Sequence, residues 1–244
     1  MRTRPCALVV LLVVGLLLNR MTSAQSSRWT DAHLRIATQL ELMKGHLTSA
    51  SADYKLGKIP LAQAHAAHPL HEEYKQLPAT FQADHPEVDK ALREALTRLQ
   101  QDIAGEGDVA AFVKDVEMAL ESLDQALRTL IPADVRNTLS FQSAVLAALV
   151  GEVGEDYGQA VQGGKLVNLV EYQDAFGFLQ RVRVLLTQLA ERLQPGDRQQ
   201  MTAHLWSLQE AMPAIMPPAS PTSSQAVQEQ TTTLVELLKK RAGE

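Results

Sequence analysis

Apolar residues recur at steps of three and four along most of the chain between Asp31 and Leu193, which is the spacing of one buried face on an α-helix. Three segments show this most clearly. Their apolar positions are Val88, Ala91, Leu92, Ala95, Leu96, Leu99 and Ile103, then Val109, Phe112, Val113, Val116, Leu120, Leu123, Leu127 and Leu130, and then Phe178, Leu179, Val182, Leu185, Leu186, Leu189 and Leu193. No stretch alternates polar and apolar residues with β-branched enrichment. The pattern therefore predicts an all-α protein without a sheet.

Short turn sequences between these segments predict where helices begin and end. Pro86 suits the first position of a helix, and Asp108 suits an N-cap after Gly105 and Gly107. Gly163-Gly164 ends a helix, and Asn168 with Glu171 three residues later resembles a capping box at the start of the next one. Because the connections are short, we expect an antiparallel up-and-down bundle of about six to eight helices.

The C-terminal part has a different composition. After a turn at residues 194–197, one more helix is predicted up to Met212, which closes a helical bundle domain over residues 25–212. Pro213–Ser224 is rich in Pro, Ser and Ala and predicts a flexible linker. Residues 225–244 then form an amphipathic tail helix, whose apolar positions lie within Gln225–Arg241.

The N-terminus has the features of a cleavable signal peptide over residues 1–24. Arg2 and Arg4 precede the apolar run Ala7–Leu18, and small residues follow at Thr22-Ser23-Ala24. The run is short for a membrane span, so we expect export to the periplasm or the extracellular space. Beyond it the longest apolar run is Ala144–Val150, and no transmembrane segment is predicted in the mature chain.

Composition excludes several classes of function. The net charge is −5, aromatic residues are few and no basic stripe is present, so a nucleic-acid partner is not expected. Cys6, inside the predicted signal peptide, is the one cysteine, which excludes disulfides, thiolate metal sites and a nucleophilic cysteine from the mature chain. The zinc-protease, serine-hydrolase, P-loop and dinucleotide motifs are missing. We therefore expect a protein that is not an enzyme.

An acidic cluster on one predicted helix is the first candidate metal site. Glu152 lies three and four positions before Glu155 and Asp156, so all three share a helical face. Carboxylates this close repel each other unless a cation lies between them, and hard cations such as ferric iron suit them. Glu171 and Asp174 form a smaller pair that would join the first group if the Gly163-Gly164 turn brings the two helices together. The alternative interpretation is a solvated acidic face, as we expect for Glu117, Glu121 and Asp124.

A histidine cluster is the second candidate, for a metal such as copper or for haem. Its residues are His65, His68, His71 and Glu72. Imidazoles three apart share a broad helical face, but Pro69 is expected to end that helix and to start a new one. His65 and His68 would then be ordinary residues of a helix C-terminus. The other histidines, His33, His46, His85 and His204, have no informative spacing.

The segment 154–173 resembles a known family. It is similar to D-Y-x-x-A-V-x-x-G-K-V-V-N-x-x-E-Y, found in the extracytoplasmic helical domain that precedes the membrane part of many bacterial high-affinity iron permeases of the oxidase-dependent iron transporter family. The matching residues are Asp156, Tyr157, Ala160, Val161, Gly164, Lys165, Val167, Asn168, Glu171 and Tyr172. The iron-binding R-E-x-x-E motif of the permeases is not reproduced, because Arg93-Glu94 is followed by Thr97. The resemblance thus implies iron handling or docking beside a transporter, without transport by this chain alone.

These observations predict an exported, non-catalytic helical protein that is linked to metal uptake, with iron the first choice. The predicted cofactor is iron or another divalent or trivalent metal, held by Glu152, Glu155 and Asp156 with help from Glu171. The predicted partner is a membrane iron permease or another envelope protein. Two alternatives stay open: a ligand-free interaction or scaffold module, and a haem- or copper-binding protein that uses the histidines of residues 65–71.

Overall fold

A capping box begins the first helix. The Thr30 hydroxyl accepts a hydrogen bond from the His33 backbone N–H at 3.2 Å, and His33 Nδ1 accepts one from the Thr30 N–H at 3.4 Å. The computed structural model describes residues 29–104 and 109–243. The predicted signal peptide with Cys6 and the predicted cap at Asp108 lie outside the described residues.

Most of the described chain is helical, and the predicted all-α class is confirmed. The first half contains α1 (Asp31–Lys55), α2 (Ile59–His71), a 3₁₀ helix (Glu73–Gln76), α3 (Phe81–Asp84), α4 (Pro86–Ala104), α5 (Val109–Leu130) and α6 (Ala133–Arg136). The second half contains α7 (Leu139–Ala160), β1 (Val161–Gln162), β2 (Lys165–Leu166), α8 (Leu169–Ala190), α9 (Pro195–Ala211) and α10 (Ser224–Ala242). No helix of residues 29–104 and 109–243 is both long and apolar enough to span a membrane.

Two predicted helix starts are observed. Helix α4 begins at Pro86, and Asn168 caps α8 by accepting hydrogen bonds from the backbone N–H groups of Val170 and Glu171 at 3.1 and 3.4 Å. These signals are local, and they depend only on the residues of the cap itself.

A small β-hairpin contradicts the expectation that the chain has no sheet. Val161 pairs with Leu166 and Gln162 with Lys165 in an antiparallel register. Gly163 and Gly164 form the turn with φ values of 56° and 73°, a region that glycine occupies without steric cost. Strands of two residues are too short to produce an alternating pattern in the sequence. The hairpin reverses the chain, so that α8 packs against α7.

Helix α2 also differs from the prediction, because it continues through Pro69 to His71. Pro69 lies in the last turn, where a missing N–H removes one intrahelical hydrogen bond and little of the helix follows it. His65 and His68 are consequently three residues apart on one continuous helix.

Helix α1 lies at the centre of the fold and packs against α2, α5, α7 and α8. It meets α8 at a close crossing between Gly45 and Gly177. A Cβ atom on Gly177 would overlap the backbone of Gly45, and one on Gly45 would overlap the ring of Phe178. Only glycines allow the two backbones to approach this closely, and the approach brings His46 of α1 to the level of Asp174 of α8.

The C-terminal segment packs against the rest of the bundle, whereas the sequence predicted a flexible linker and a separate tail helix. Residues 213–223 are irregular, but the Tyr157 hydroxyl donates to the Thr222 carbonyl at 2.8 Å and the Tyr172 hydroxyl to the Ala214 carbonyl at 3.2 Å. Helix α10 packs on α7 and α9. Its buried residues are Val227, Thr231, Leu234 and Leu238. The predicted tail is therefore a member of the bundle.

Candidate metal centre

Three histidines from two helices surround one carboxylate from a third. His46 Nδ1 lies 2.6 Å from Asp174 Oδ1, and His65 Nδ1 lies 2.8 Å from the same oxygen. His68 Nδ1 lies 3.2 Å from Asp174 Oδ2, although without hydrogen-bond geometry. One ligand atom from each of these four residues lies within 4.8 Å of the other three. The tertiary fold thus gathers nitrogen and carboxylate ligands at one point.

The cluster is buried at one end and reaches the surface at the other. The side chains of His46, His65 and Asp174 are 2%, 0% and 4% exposed, whereas that of His68 is 18% exposed. The ring of Phe178 contacts the ring of His46 edge-on, with the centroids 4.9 Å apart. A cation would therefore reach the cluster past His68.

The second nitrogen of each imidazole faces an acceptor away from Asp174. His46 Nε2 lies 3.1 Å from Glu73 Oε1, and His65 Nε2 lies 2.9 Å from Gln173 Oε1. The contact of His68 Nε2 with Glu72 Oε1 is looser, at 3.7 Å. In metal sites the non-ligating nitrogen of a histidine is commonly anchored in this way, which orients the ring. The arrangement directs all three Nδ1 atoms towards one position.

Protonated imidazoles supply the positive charge that balances the cluster. Burial alone would lower the pKa of His46, but the carboxylates of Asp174 and Glu73 overcome it and raise the pKa to about 10. His65 is affected in the same way by burial and by Asp174, and its pKa is also raised. The histidines hold the pKa of Asp174 well below its usual range despite the burial of that carboxyl. A metal ion binding here would displace protons from the imidazoles.

Three of the predicted acidic residues, Asp156, Glu171 and Glu152, interact electrostatically with the cluster or with Glu73 beside it. Burial, and then the charges of Asp174, Glu171 and Glu152, raise the pKa of Asp156 to about 8. Burial also raises the pKa of Glu171, with Asp174 and Glu72 as the next causes. For Glu152 the pKa is raised by burial and then by Glu155 and Glu73. Asp156 and Glu171 therefore lie close enough to the cluster for their charges to interact with His46.

The converging ligand atoms are only partly those proposed from the sequence. Of the predicted residues, His65, His68 and Glu72 belong to the groups of neighbouring ligand atoms within the described ranges. His71 and Glu155 are exposed and stand outside these groups, as do Glu152, Asp156 and Glu171. Sequence reasoning missed His46, because it stands alone on α1, and it placed Asp174 only in a minor pair.

A second network outside this centre includes Asp124, which the sequence places on a solvated face of its helix. Lys44 Nζ is buried and lies 2.6 Å from both Glu41 Oε1 and Asp124 Oδ1. Arg181 binds the other oxygen of Glu41 through Nε at 3.0 Å and Nη2 at 2.7 Å. Asp124 is still 46% exposed, but its carboxylate holds α5 to α1.

The described residues form a helical bundle that holds a cluster of possible metal ligands. The family comparison agrees with the helical-bundle class. Residues 132–244 match the family of the iron permease-associated 4-helix bundle domain. The predicted resemblance is therefore confirmed over this part of the chain, which contains α7, α8, α9 and α10. No curated protein and no solved structure matches the chain. Asp174 lies within the matched part, whereas the three histidines precede it.

Proposed function

We propose that this protein binds a first-row transition-metal ion, iron in the first place, through His46, His65, His68 and Asp174. The observation that carries the proposal is the convergence of three Nδ1 atoms on a carboxylate of the iron permease-associated domain. In this proposal the protein captures the ion outside the cytoplasm and presents it to a membrane iron permease. It performs no chemical conversion and no transport of its own.

The donor set favours divalent iron, zinc or copper over a purely oxygen-liganded ion, because imidazole suits these metals. A four-coordinate site with bonds of about 2.0–2.1 Å needs ligand atoms about 3.4 Å apart. The four ligand atoms lie within 4.8 Å of one another, and the 2.6 Å contact of His46 with Asp174 would lengthen when an ion enters. The carboxylates of Glu72, Glu73, Glu152 and Glu171 would attract cations towards the cluster.

Calorimetric titration of the metal-free protein with Fe²⁺ under anaerobic conditions, and with Zn²⁺ and Cu²⁺, tests this function. We expect one ion per chain. His68→Gln removes the most exposed ligand and should weaken binding at least tenfold, and Asp174→Asn should weaken it further because it removes the only anionic ligand. His71→Gln is the matched control, since His71 lies on the same helix outside the cluster and should leave the affinity unchanged.

The proposal fails if the wild-type protein binds none of the three ions, or if His68→Gln and Asp174→Asn both bind like the wild type. Circular dichroism identifies any variant that has lost its helical fold. Loss of binding in His71→Gln as well would mean that the ions bind histidines without regard to the cluster, which also contradicts the proposal.

A further inference from the structure

A chain of hydrogen bonds leads from a buried carboxylate on α1 to the candidate metal centre. Asp53 Oδ1 accepts a hydrogen bond from Gln173 Nε2 at 2.9 Å. Gln173 Oε1 lies 2.9 Å from His65 Nε2, and His65 Nδ1 lies 2.8 Å from Asp174 Oδ1. Asp53, Gln173 and His65 are all 0% exposed, so water does not compete for these contacts.

The chemistry of Asp53 sets the direction of every bond in this chain. An ionised carboxylate only accepts hydrogen bonds, so Gln173 turns its NH₂ group towards Asp53 and its carbonyl oxygen towards His65. That oxygen also only accepts, so His65 Nε2 must carry a hydrogen. In the metal-free protein His65 Nδ1 also carries a hydrogen and donates it to Asp174. When a metal ion displaces one proton, the neutral imidazole keeps its single hydrogen on Nε2, and its lone pair is then on Nδ1, the atom that faces Asp174.

Burial of the Asp53 carboxylate is costly, because it raises the pKa of Asp53 to about 6 and its second oxygen gains only a long ion pair with His65. Asp53 Oδ2 is buried without a hydrogen-bond partner in the described part of the chain, at 3.5 Å from His65 Nε2. An unsatisfied buried carboxylate oxygen is costly, and a less polar side chain would avoid that cost. A group that acts only as an acceptor is nevertheless needed to hold the amide of Gln173 in one orientation.

We propose that Asp53 is a positioning residue that acts through Gln173 to make Nδ1 the metal-binding nitrogen of His65. This inference rests on the proposed function, because it assigns a role to residues behind the same centre. Asp53 and Gln173 do not touch the cation in this proposal. They select the tautomer of His65, which is the residue that binds the cation.

The first test replaces the carboxylate by an amide of the same shape. In Asp53→Asn the new side chain can present either a donor or an acceptor to Gln173, so the amide of Gln173 is free to turn and to donate to His65 Nε2. His65 then populates the tautomer with hydrogen on Nδ1, which cannot bind the ion. We expect the affinity for Zn²⁺ to fall 10- to 100-fold, the usual effect of removing an anchoring partner.

The second test reverses the polarity of the pair. In the double variant Asp53→Asn/Gln173→Glu, the acceptor-only carboxylate stands at position 173, where it accepts from both His65 Nε2 and the new amide at position 53. We expect the Zn²⁺ affinity to return to within about threefold of the wild type. Ser49→Ala is the matched control. It removes a buried hydrogen bond of 2.6 Å to the Gln173 backbone carbonyl and leaves the side-chain relay intact.

The readouts are calorimetry with Zn²⁺ and ¹⁵N NMR of the His65 ring in the Zn²⁺-loaded protein. We expect His65 to be metal-bound at Nδ1 and protonated at Nε2. Any one of three results overturns the positioning role: unchanged affinity in Asp53→Asn, no recovery in the double variant, or metal binding through His65 Nε2. If the wild type still binds the metal, the proposed function stands. If the wild type binds no metal, the proposed function itself fails, and the inference fails with it.

Discussion

Single side chains in and beside the centre are subject to opposing electrostatic effects. Burial disfavours charge on His46, His65, Asp156 and Asp174 alike, yet three of these four are kept charged by their partners. Asp156 is the exception, because its nearest charges are mainly other carboxylates. Its raised pKa therefore marks a residue that the fold tolerates at a cost in stability.

The pKa of Asp156 leads to a stability prediction. Folding raises this pKa from 3.8 to about 8, so the folded protein holds a proton that the unfolded chain releases between these values. The stability of the metal-free protein is therefore reduced progressively as the pH rises from about 4 to 8. We expect Asp156→Asn to stabilise the metal-free protein by about 1–3 kcal/mol at pH 8 and to have little effect at pH 4.

Urea denaturation at the two pH values measures this effect. Glu155→Gln is the control, because Glu155 is exposed on the same helix and its replacement should change stability by less than about 0.5 kcal/mol at either pH. A destabilised Asp156→Asn variant at pH 8 would show that the Asp156 carboxylate is favourably paired in the fold.

At the scale of elements, the crossing of α1 and α8 determines whether the ligands meet. Gly45 precedes His46, and Gly177 lies three residues after Asp174 on α8. The close approach of the two backbones at these glycines sets the separation of His46 from Asp174. Packing at the crossing and metal affinity should therefore change together.

Gly177→Ala tests this coupling. The added methyl group would overlap the backbone of Gly45 and the hydroxyl of Ser49, so the helices must separate. We expect a loss of about 1–3 kcal/mol of stability from overpacking, together with weaker metal binding. Gly151→Ala is the control, because a Cβ there meets none of the described atoms within 4 Å. It should stabilise α7 by about 0.5–1 kcal/mol and leave metal binding unchanged.

At the scale of the whole molecule, the centre joins the two halves of the chain. Helices α1 and α2 supply the histidines, and α8, inside the family-matched residues 132–244, supplies Asp174. The Glu41–Lys44–Asp124–Arg181 network links α1, α5 and α8 in a similar way. A metal ion at the centre would thus join helices that lie far apart in the sequence.

Metal binding should therefore raise the thermal stability of the entire chain. At a free metal concentration about 100 times Kd, we expect about 2.7 kcal/mol of added stability and a higher Tm than in the presence of a chelator. Differential scanning calorimetry measures this shift. With binding weakened at least tenfold, His68→Gln should lose about half of this stabilisation or more at the same metal concentration. Its metal-free Tm should stay near that of the wild type, because His68 is the least buried ligand. An equal shift in His68→Gln would contradict a site at this position.

How much the sequence could predict varied with the position of each helix. Helices α4 and α5 lie at the edge of the fold and bury one face, so their apolar spacing was plain. Helix α1 is buried on most of its surface, and its buried residues include the polar Glu41, Lys44, His46 and Asp53. A polar residue on an enclosed helix interrupts the apolar pattern, so nothing local marked His46 or Asp53 as important.

The sequence by itself determined the helical class, several helix caps, the acidic stretch on α7 and the similarity to the iron permease-associated domain. These properties depend on residues within a few positions of each other. Only the tertiary structure decided that His46, His65, His68 and Asp174 meet, and that Asp156 and Glu171 lie near them. His46 and Asp174 are 128 positions apart, and their contact depends on which buried faces pack together, which helical periodicity does not encode.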